Sequence, residues 1–498
     1  MKQPVKKRTV ILLCLLVSFL CALLCSKTSP LYALQDWVDA NAYMTMARGW
    51  MNGLIPFRDL FEQKGPLLYI VHIIGALIHD SSFLGVFVLQ VISFTFVLYY
   101  AYKIFTLYMD GKKGLRFLPI LGLVFFTMAC YRFGDSAEEM ATPFIMFALY
   151  QLFYYLKDKK EIPYKMFLLT GLGAGVLLWT KFTMVGFHFG FMAFFFFYLW
   201  LYKKDLKKAI LSALTFLGGM AIVSVPILIY FGAHGALKDL FHVYFTINLT
   251  AYPVEFTLIE RLAWMIRRFI EMLKNNIFYT VLFLPAIVAF LYKEKKSPLS
   301  FGVLTTLFFL FFFTFIGGRA YSYYFLVFFS FIVIFPIAIS QFNINKLPDS
   351  RWILPAIVIL CTCLTYYMSS NTDDIKLKKS DYAQYIFADY INNSGKEQSM
   401  LYYGDIDAGF YLTTGIVPKT YYFEKLNLPY ENYPENVDEL NRYIDEEQIQ
   451  FVIFKDDQYW PFNIYKCPAL LTKYHKIMEH EQMFQGKMTT YYLYEKNV

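Results

Sequence analysis

The sequence predicts an all-α polytopic membrane domain followed by a small extracytoplasmic α/β domain. Of its 498 residues, 57% are hydrophobic and only 17% are charged, and they include 53 Phe and 41 Tyr. A soluble protein of this size would have about one quarter of its residues charged. The excess of apolar residues excludes an ordinary soluble enzyme and indicates many membrane spans.

Eleven apolar runs precede residue 369, and most approach the roughly 20 residues that cross ~30 Å of hydrocarbon. They lie near residues 9–26, 83–102, 117–131, 140–156, 166–180, 183–202, 209–231, 275–292, 299–316, 322–341 and 352–368. The first run follows a basic start and resembles a secretory signal. No small-residue cleavage site precedes Ser26, so we expect this run to remain as a span.

The distribution of Lys and Arg predicts the orientation. A twelfth candidate, residues 64–79, is short and contains His72. If it does not span, the cytoplasmic loops carry 21 Lys and Arg in 51 residues, whereas the much longer outer loops carry 12. Counting it as a span would move 17 of the 21 to the outer face. We therefore predict an interfacial or re-entrant helix there, a cytoplasmic N-terminus and a C-terminal domain outside the cytoplasmic membrane.

The charge balance changes sign at about residue 369. Residues 370–498 hold 13 Lys and Arg against 20 Asp and Glu, while residues 1–369 are basic. This predicts a membrane domain over 1–369 and a separate soluble domain over 370–498. In the soluble domain, we expect strands near 399–403, 449–454 and 489–494 and helices near 381–392 and 436–447.

Two partner classes are not expected. The net charge of +8 comes from short loops beside apolar runs, so the sequence does not indicate a nucleic-acid partner. The seven cysteines show neither a disulfide framework nor zinc-site spacing. Membrane lipid is the partner that the composition does predict.

The first outer loop, residues 27–82, is long for a connector between spans. Its first part reads as a helix capped by Asp36 and ended by Gly53. Asp39 lies one turn after Asp36 on the same face. Its carboxylate either complements the helix dipole or serves a reaction, and spacing alone leaves both open.

Four charged residues follow within seven positions, just before an apolar helix: Arg58, Asp59, Glu62 and Lys64. Two cations at a membrane surface could bind lipid headgroups non-specifically. A cationic pair beside carboxylates is equally what a lipid-phosphate leaving group and a general base require. Composition does not separate these alternatives.

The order of these motifs resembles the first outer loop of the GT-C membrane glycosyltransferases. The matching segments are Asp39-Ala-Asn-Ala-Tyr43, Gly53 and Glu62-Gln-Lys64-Gly-Pro66-Leu-Leu-Tyr69. The pattern is most similar to the bacterial protein-mannosyltransferase-like group, family 39, which includes the enzymes that add aminoarabinose to lipid A. Its second motif is loosened here, so Lys64 matches better than Glu62.

Later segments resemble the same family. Glu139 matches an acidic residue that opens the fourth span, with Glu138 one position out of register, and a helix-start carboxylate is the alternative interpretation. Lys181 matches a Thr-Lys between two spans, and Arg319 with Tyr321 matches a late Tyr-rich segment. A basic residue at the end of a span is also a common interface anchor.

The resemblance implies a fold of GT-C type and a sugar transfer from a polyprenyl-phosphate donor to a cell-envelope acceptor. It implies Asp39 as base or acceptor-orienting carboxylate, with Glu139 as a second catalytic residue. Substrate-binding roles are implied for Lys64, Arg58, Glu62, Tyr43, Arg319, Tyr321 and Lys181. No cofactor is certain; a divalent metal is compatible with the wider group, although no ligand set can be recognised.

Two other functions remain open at this point. A transporter or flippase of lipid-linked saccharides would have a similar composition, but transporters often carry internal repeats and charges near the midplane. The sequence shows no repeat, and its charges cluster at one surface. A non-catalytic scaffold presenting the acidic domain would leave the first outer loop unexplained.

Overall fold

The structure is a computed structural model that describes residues 5–251, 256–342, 350–457 and 467–497. Each of the eleven predicted runs coincides with a helical segment. These segments are Lys7–Cys25, Leu84–Phe105, Leu118–Thr127, Ala137–Lys157, Tyr164–Leu178, Phe182–Tyr202, Leu206–Ala233, Ile277–Lys293, Pro298–Phe315, Ser322–Gln341 and Ile353–Met368. The prediction of a mainly helical chain is confirmed.

The number of membrane spans is lower by a strict criterion. Within the described ranges, six helices are long and apolar enough to cross a bilayer, or up to eight if each of two bent helix pairs is one span. Leu118–Thr127, for example, has only 10 residues, which at 1.5 Å per residue is about half of the hydrocarbon thickness. The count of eleven is not confirmed and stays a prediction.

The remaining helices are shorter or more polar. The region predicted as interfacial or re-entrant forms Pro66–Ile78, a 13-residue apolar helix with Pro at its start. Its length is below that of a typical span. The other helices before residue 370 are Val38–Met51, Gly111–Leu115, Leu237–Phe241, His242–Ile247, Asn248–Thr250 and Leu258–Asn275.

The chain forms two compact units. The helical unit comprises Met1–Ser26, Phe87–Ile229 and Val254–Thr372. The mixed unit comprises Lys27–Val86, Tyr230–Pro253 and Asp373–Val498. The first outer loop therefore belongs to the same compact unit as the C-terminal residues.

Aromatic rings and close backbone contacts build the core of the helical unit. Phe94 stacks on Phe125 with ring centroids 4.5 Å apart, and Phe125 contacts Phe329 edge-on at 4.7 Å. A Cβ atom at Gly171 would lie 2.1 Å from the carbonyl oxygen of Phe216. Glycine is required there because it lets two helix backbones approach closely.

A four-stranded sheet organises the C-terminal part of the mixed unit. The strands are β1 Met400–Tyr403, β2 Phe451–Asp457, β3 Tyr474–Phe484 and β4 Lys487–Lys496. Their order is β1-β2-β4-β3, with β1 parallel to β2 and the other pairs antiparallel. The helices of this part are Ser370–Lys376, Lys379–Asp381, Ala383–Asn393, Phe410–Thr414, Pro434–Asp445 and Pro468–Lys473.

The expected strands near 399–403, 449–454 and 489–494 are present as β1, β2 and β4, and both expected helices are present. The sequence analysis missed β3. This strand is at the edge of the sheet, and most of its residues are polar. Edge strands tolerate charged side chains, so β3 lacks the apolar pattern that reveals a central strand.

Candidate functional site

The helix Val38–Met51, called the Asp39 helix below, carries the first candidate residue. Asp39 lies in its first turn, where the helix dipole favours a carboxylate, and is 7% exposed. Asn52 is the C-cap of the helix, and Gly53 follows with a φ of 90°. That left-handed conformation is inexpensive only for glycine, so the predicted end at Gly53 is confirmed.

The predicted start of this helix is wrong. Its N-cap is Trp37, which makes no side-chain cap, and Asp36 does not cap it. Asp36 instead forms an ion pair with Lys27 at 2.8 Å and accepts a hydrogen bond from the Gln485 backbone. The Asp36 carboxylate thus binds the buried ammonium of Lys27, nine residues earlier in the chain, instead of the N–H groups at the start of the helix. The spacing of residues along a helix does not predict such a contact.

Lys27 is the centre of this buried ionic contact. Asp374 is its second carboxylate partner, and the Lys27 side chain is 1% exposed. Burial alone would lower the pKa of Lys27, but the charges of Asp36 and Asp374 outweigh it and raise the pKa. These residues therefore form a structural link.

Asp39, Tyr43 and Lys64 form a compact polar group. The Tyr43 hydroxyl donates to Asp39 Oδ2 at 3.4 Å, and Lys64 Nζ lies 5.6 Å from the centroid of the Tyr43 ring. His72 packs edge-on against the same ring at 5.5 Å. A carboxylate and a cation thus border one buried tyrosine, and all three residues are ones for which the resemblance implies a role in the site.

Glu62 completes this group. Lys64 Nζ lies 3.4 Å from Glu62 Oε1, and the Lys64 backbone N–H donates to Glu62 Oε2 at 2.8 Å. The Tyr69 hydroxyl also donates to Glu62 Oε2. The segment from Glu62 to Lys64 therefore forms a tight turn. This turn fixes the Glu62 carboxylate and directs the Lys64 ammonium towards it.

Arg58 lies in a different environment. Its guanidinium forms two 2.8 Å contacts with Asp59 and donates to the His234 carbonyl at 2.9 Å. The Arg58 side chain is 43% exposed. The contact with Asp59 lowers the pKa of that carboxyl. The structure pairs Arg58 with Asp59 rather than with the Asp39 and Lys64 group.

Two buried carboxylates from the C-terminal part of the mixed unit were missed by the sequence analysis. Asp407 accepts a hydrogen bond from Thr45 of the Asp39 helix at 2.7 Å. The backbone N–H of Asp407 donates to Glu424 Oε2 at 2.7 Å. Both side chains lie among alternating apolar and polar residues with no recognisable motif, so the sequence gives no signal for them.

Their electrostatics are unusual. Burial raises the pKa of Asp407 to about 6, although hydrogen bonds from Thr45 and from backbone N–H groups oppose the shift. The pKa of Glu424 is raised well above its ordinary value by burial, and by the negative charges of Asp407, Glu62 and Asp39. The mixed unit thus places three other carboxylates near Glu424.

Backbone contacts hold the first outer loop against these carboxylates. Arg48 of the Asp39 helix donates to the carbonyl oxygens of Tyr411 and Gly415, each at 2.9 Å. The Phe61 N–H donates to the Tyr421 carbonyl at 3.0 Å, and the Phe61 ring packs on Tyr421 and Tyr422. Both halves of the loop are therefore anchored within the unit.

The helical unit holds a second group of candidates. Lys181 forms an ion pair with Glu138, and both side chains are almost buried. Lys181 Nζ also lies 3.6 Å from the centroid of the Tyr324 ring and 5.3 Å from that of Tyr323. The structure thus brings Lys181 to the predicted Tyr-rich segment.

Arg319 belongs to this segment. Its guanidinium donates to the Tyr321 hydroxyl at 3.0 Å, and the Tyr321 ring stacks on Tyr323 with centroids 5.6 Å apart. Lys181 and Arg319 therefore flank one cluster of tyrosine rings.

Glu139 occupies the start of the helix Ala137–Lys157. Ser136 caps the helix by accepting from the Glu139 N–H at 3.0 Å. Glu139 Oε2 accepts from the Asp135 N–H at 2.7 Å and from Gln90 at 2.9 Å. These contacts match the alternative interpretation of a helix-start carboxylate. Within the part of the chain that the structure describes, Glu139 Oε1 is buried without a hydrogen-bond partner.

No group of three or more His, Cys, Asp or Glu that could hold a metal ion occurs in the described part of the chain. The four carboxylates of the mixed unit do not form such a group.

Comparisons with known proteins give the fold. No protein-family model matches the chain, and no curated protein matches its sequence. The structure of ArnT from Cupriavidus metallidurans bound to undecaprenyl phosphate matches with a TM-score of 0.62 at 10% identity, covering 97% of each chain. The apo structure of that protein matches with a TM-score of 0.60 at 9% identity, again over 97% of each chain.

A weaker match is the archaeal oligosaccharyltransferase AglB from Archaeoglobus fulgidus, in complex with an inhibitory peptide and a dolichol-phosphate. Its TM-score is 0.45 at 12% identity, covering 90% of this chain and 69% of that chain, which is too distant to support an inference. The two ArnT matches span nearly the whole chain. Together with the apolar helices, they identify a multi-pass membrane protein with the GT-C fold.

Proposed function

We propose that the chain is an integral membrane glycosyltransferase. It moves a sugar from a polyprenyl-phosphate-linked donor to a cell-envelope acceptor, which is a glycan, a lipid or a protein. The observation that carries the proposal is the buried group in which Asp39 and Lys64 border the Tyr43 ring. The shared fold with a protein that binds undecaprenyl phosphate supports this class of donor.

The proposed reaction assigns one step to each charged residue. Asp39 accepts the proton of the acceptor hydroxyl while the hydroxyl oxygen attacks the anomeric carbon of the sugar. If Asp39 only orients the hydroxyl, the proton passes to the phosphate oxygen that leaves. The bond between the anomeric carbon and the phosphate oxygen breaks, with inversion at carbon. The polyprenyl phosphate leaves, and Lys64 stabilises the charge that develops on it.

The contacts of Lys64 support this role. Its ammonium lies at 3.4 Å from Glu62, a long distance for a charge-assisted contact, so a phosphate can compete for it. Glu62 is held by the Lys64 N–H and by Tyr69, and it keeps its position when the ammonium changes partner. Tyr43 separates the two charged groups and orients Asp39.

The other assignments rest on the resemblance. Arg58 is proposed as a further, less important contact to the donor phosphate. Its guanidinium would have to break its ion pair with Asp59 to make that contact. In the helical unit, Arg319 and Tyr321 are proposed as substrate-binding residues and Glu139 as a second catalytic residue. The ion pair with Glu138 favours a structural role for Lys181 over direct substrate binding.

We propose that the C-terminal domain, residues 370–498, is outside the cytoplasmic membrane and that the N-terminus is inside. A cysteine at the exposed position Glu431, in a Cys363→Ser background, should react in intact cells with a reagent that does not cross membranes. Reaction only after the cells are opened would place the domain inside. That result would contradict a reaction on the outer face.

The function is tested with purified protein in lipid vesicles. Undecaprenyl-phosphate-linked hexoses and pentoses carrying a labelled sugar are added, together with an envelope fraction from cells that lack the protein. We expect release of undecaprenyl phosphate with transfer of the label to the envelope fraction. Movement of the intact donor across the bilayer without release would indicate a transporter. If neither sugar transfer nor donor movement is observed, the protein would be a scaffold.

A further inference from the structure

The helix Leu258–Asn275, called the amphipathic helix below, has an apolar face that its own unit does not cover. Its exposed large apolar residues are Leu258, Ile259, Leu262, Ile266 and Ile270, with exposed fractions from 43% to 80%. Four of them recur every fourth residue. At about 100° per residue this spacing keeps them on one side of the helix.

A different face packs on the helical unit. Met265 and Met272 are buried, and the Phe269 ring contacts Phe311 and Phe328 at 5.2 Å. The amphipathic helix is therefore held in place by Met265, Phe269 and Met272, while its Leu and Ile side chains lie on a different, exposed face.

The charged residues lie on the rest of the helix surface, from the border of the exposed apolar face round to the opposite side. They comprise four basic residues, Arg261, Arg267, Arg268 and Lys274, and two acidic ones, Glu260 and Glu271. Local contacts occupy both acids, because Glu260 closes the capping box with Thr257 and Glu271 pairs with Arg268 at 2.6 Å.

Arg267 and Lys274 form a basic stripe. They are exposed and lie two turns apart, so they follow one line along the helix. This line borders the apolar face next to Ile270. Basic side chains in this position extend along apolar surface and place their charge at headgroup level.

The orientation of the amphipathic helix fits a bilayer surface. It is bent by 112° from the apolar helix Ile277–Lys293 that follows it. If Ile277–Lys293 crosses the bilayer, the amphipathic helix lies close to the membrane plane. An amphipathic helix in this plane buries its apolar face at the boundary between headgroups and acyl chains.

We propose that the amphipathic helix is an interfacial anchor that binds anionic lipid. Its Leu and Ile face inserts among acyl chains, and Arg267 with Lys274 contacts the negatively charged headgroups. The proposal does not depend on sugar transfer. The apolar face and the basic stripe together select a lipid surface, because a partner protein would not require both on adjacent flanks of one helix.

The test has two parts, both with the full chain in nanodiscs. A nitroxide at Ile266→Cys should be accessible to oxygen and shielded from an aqueous nickel complex, and one at Glu271→Cys should show the reverse. Nickel access at Ile266 would overturn the proposal. So would shielding from both reagents, because a protein partner or a second copy would then cover the face.

The basic stripe is tested by native mass spectrometry with phosphatidylglycerol as the probe. Each basic residue near an anionic surface contributes about 1 kcal/mol, or roughly fivefold. Arg267→Gln with Lys274→Gln removes two such contributions and should therefore weaken phosphatidylglycerol binding by roughly 25-fold. The control is Lys376→Gln with Lys378→Gln, which removes the same charge from exposed sites elsewhere. Equal binding by both double variants and the unaltered protein would contradict the role of the stripe.

Discussion

Two buried carboxylates, Glu138 of the helical unit and Asp407 of the mixed unit, are stabilised differently. In the helical unit, Glu138 is neutralised by an ion pair with Lys181. In the mixed unit, Asp39, Glu62 and Asp407 are near Glu424, and the pKa of Asp407 is raised to about 6. A buried ion pair indicates a structural role, whereas a carboxylate whose pKa is raised by burial towards neutral pH, such as Asp407, suits acid–base chemistry.

The first prediction tests the structural half of this comparison. Lys181→Met leaves Glu138 buried without its cation, which typically costs about 3–5 kcal/mol of the free energy of unfolding. Thermal unfolding in detergent should show a large loss. The double variant Lys181→Met with Glu138→Gln should recover much of it, because no charge is then left uncompensated.

An exposed ion pair provides the matched control. Lys419 and Glu397 lie 2.7 Å apart with both side chains more than half exposed. Lys419→Met should change stability by roughly 0–1 kcal/mol, as exposed pairs do. Equal effects of Lys181→Met and Lys419→Met would show that the buried pair is not a structural link.

The second prediction concerns the cation of the mixed unit. Lys64→Ala removes the proposed charge-assisted contact to the donor phosphate, and such a contact is worth about 1.5–3 kcal/mol. Release of undecaprenyl phosphate should slow by about 10-fold to 150-fold, and Lys64→Arg should recover part of the rate. An unchanged rate in folded Lys64→Ala protein would reduce Lys64 to a lipid-surface anchor.

The third and smallest prediction concerns pH. Because the pKa of Asp407 is about 6 in the folded protein against 3.8 for an ordinary Asp, the folded state binds the extra proton between these values. The contribution of this group to stability is therefore present at low pH and is lost as pH rises towards 6 and above. Asp407→Asn should show a smaller fall in Tm from pH 5 to pH 7 than the unaltered protein.

Asp389→Asn provides the control for this pH experiment. Asp389 is an exposed carboxylate of the same unit, so its replacement should leave the pH dependence of Tm unchanged. If Asp407→Asn has the same pH dependence as this control, Asp407 does not hold a proton near neutral pH.

The sequence predicted the elements whose signals are local. Apolar runs gave the helices, Gly53 gave a helix end, and the order of Asp39, Tyr43 and Lys64 gave a group that the structure brings together. The resemblance was needed for the last of these, because composition left lipid binding and catalysis open.

Long-range contacts could not be predicted in this way. Asp36 pairs with Lys27 instead of capping a helix, and Asp407 contacts Thr45 across 362 positions of the chain. Such pairs depend on tertiary packing, which competes with local preferences and leaves no periodic pattern. The polar edge strand β3 was missed for a related reason, since its pairing partner β4 supplies the stability.

The most direct test of the account is the effect of Asp39→Asn on turnover and on donor binding. The amide keeps the size of the side chain but cannot accept a proton at neutral pH. A positioned general base contributes about 10² to 10⁴ in rate. At saturating undecaprenyl-phosphate-linked sugar, we predict a fall of at least 100-fold in undecaprenyl phosphate release, with an unchanged Kd for the donor and an unchanged Tm. Release at the rate of the Asp389→Asn control would contradict the central claim that the Asp39 carboxylate performs the chemistry.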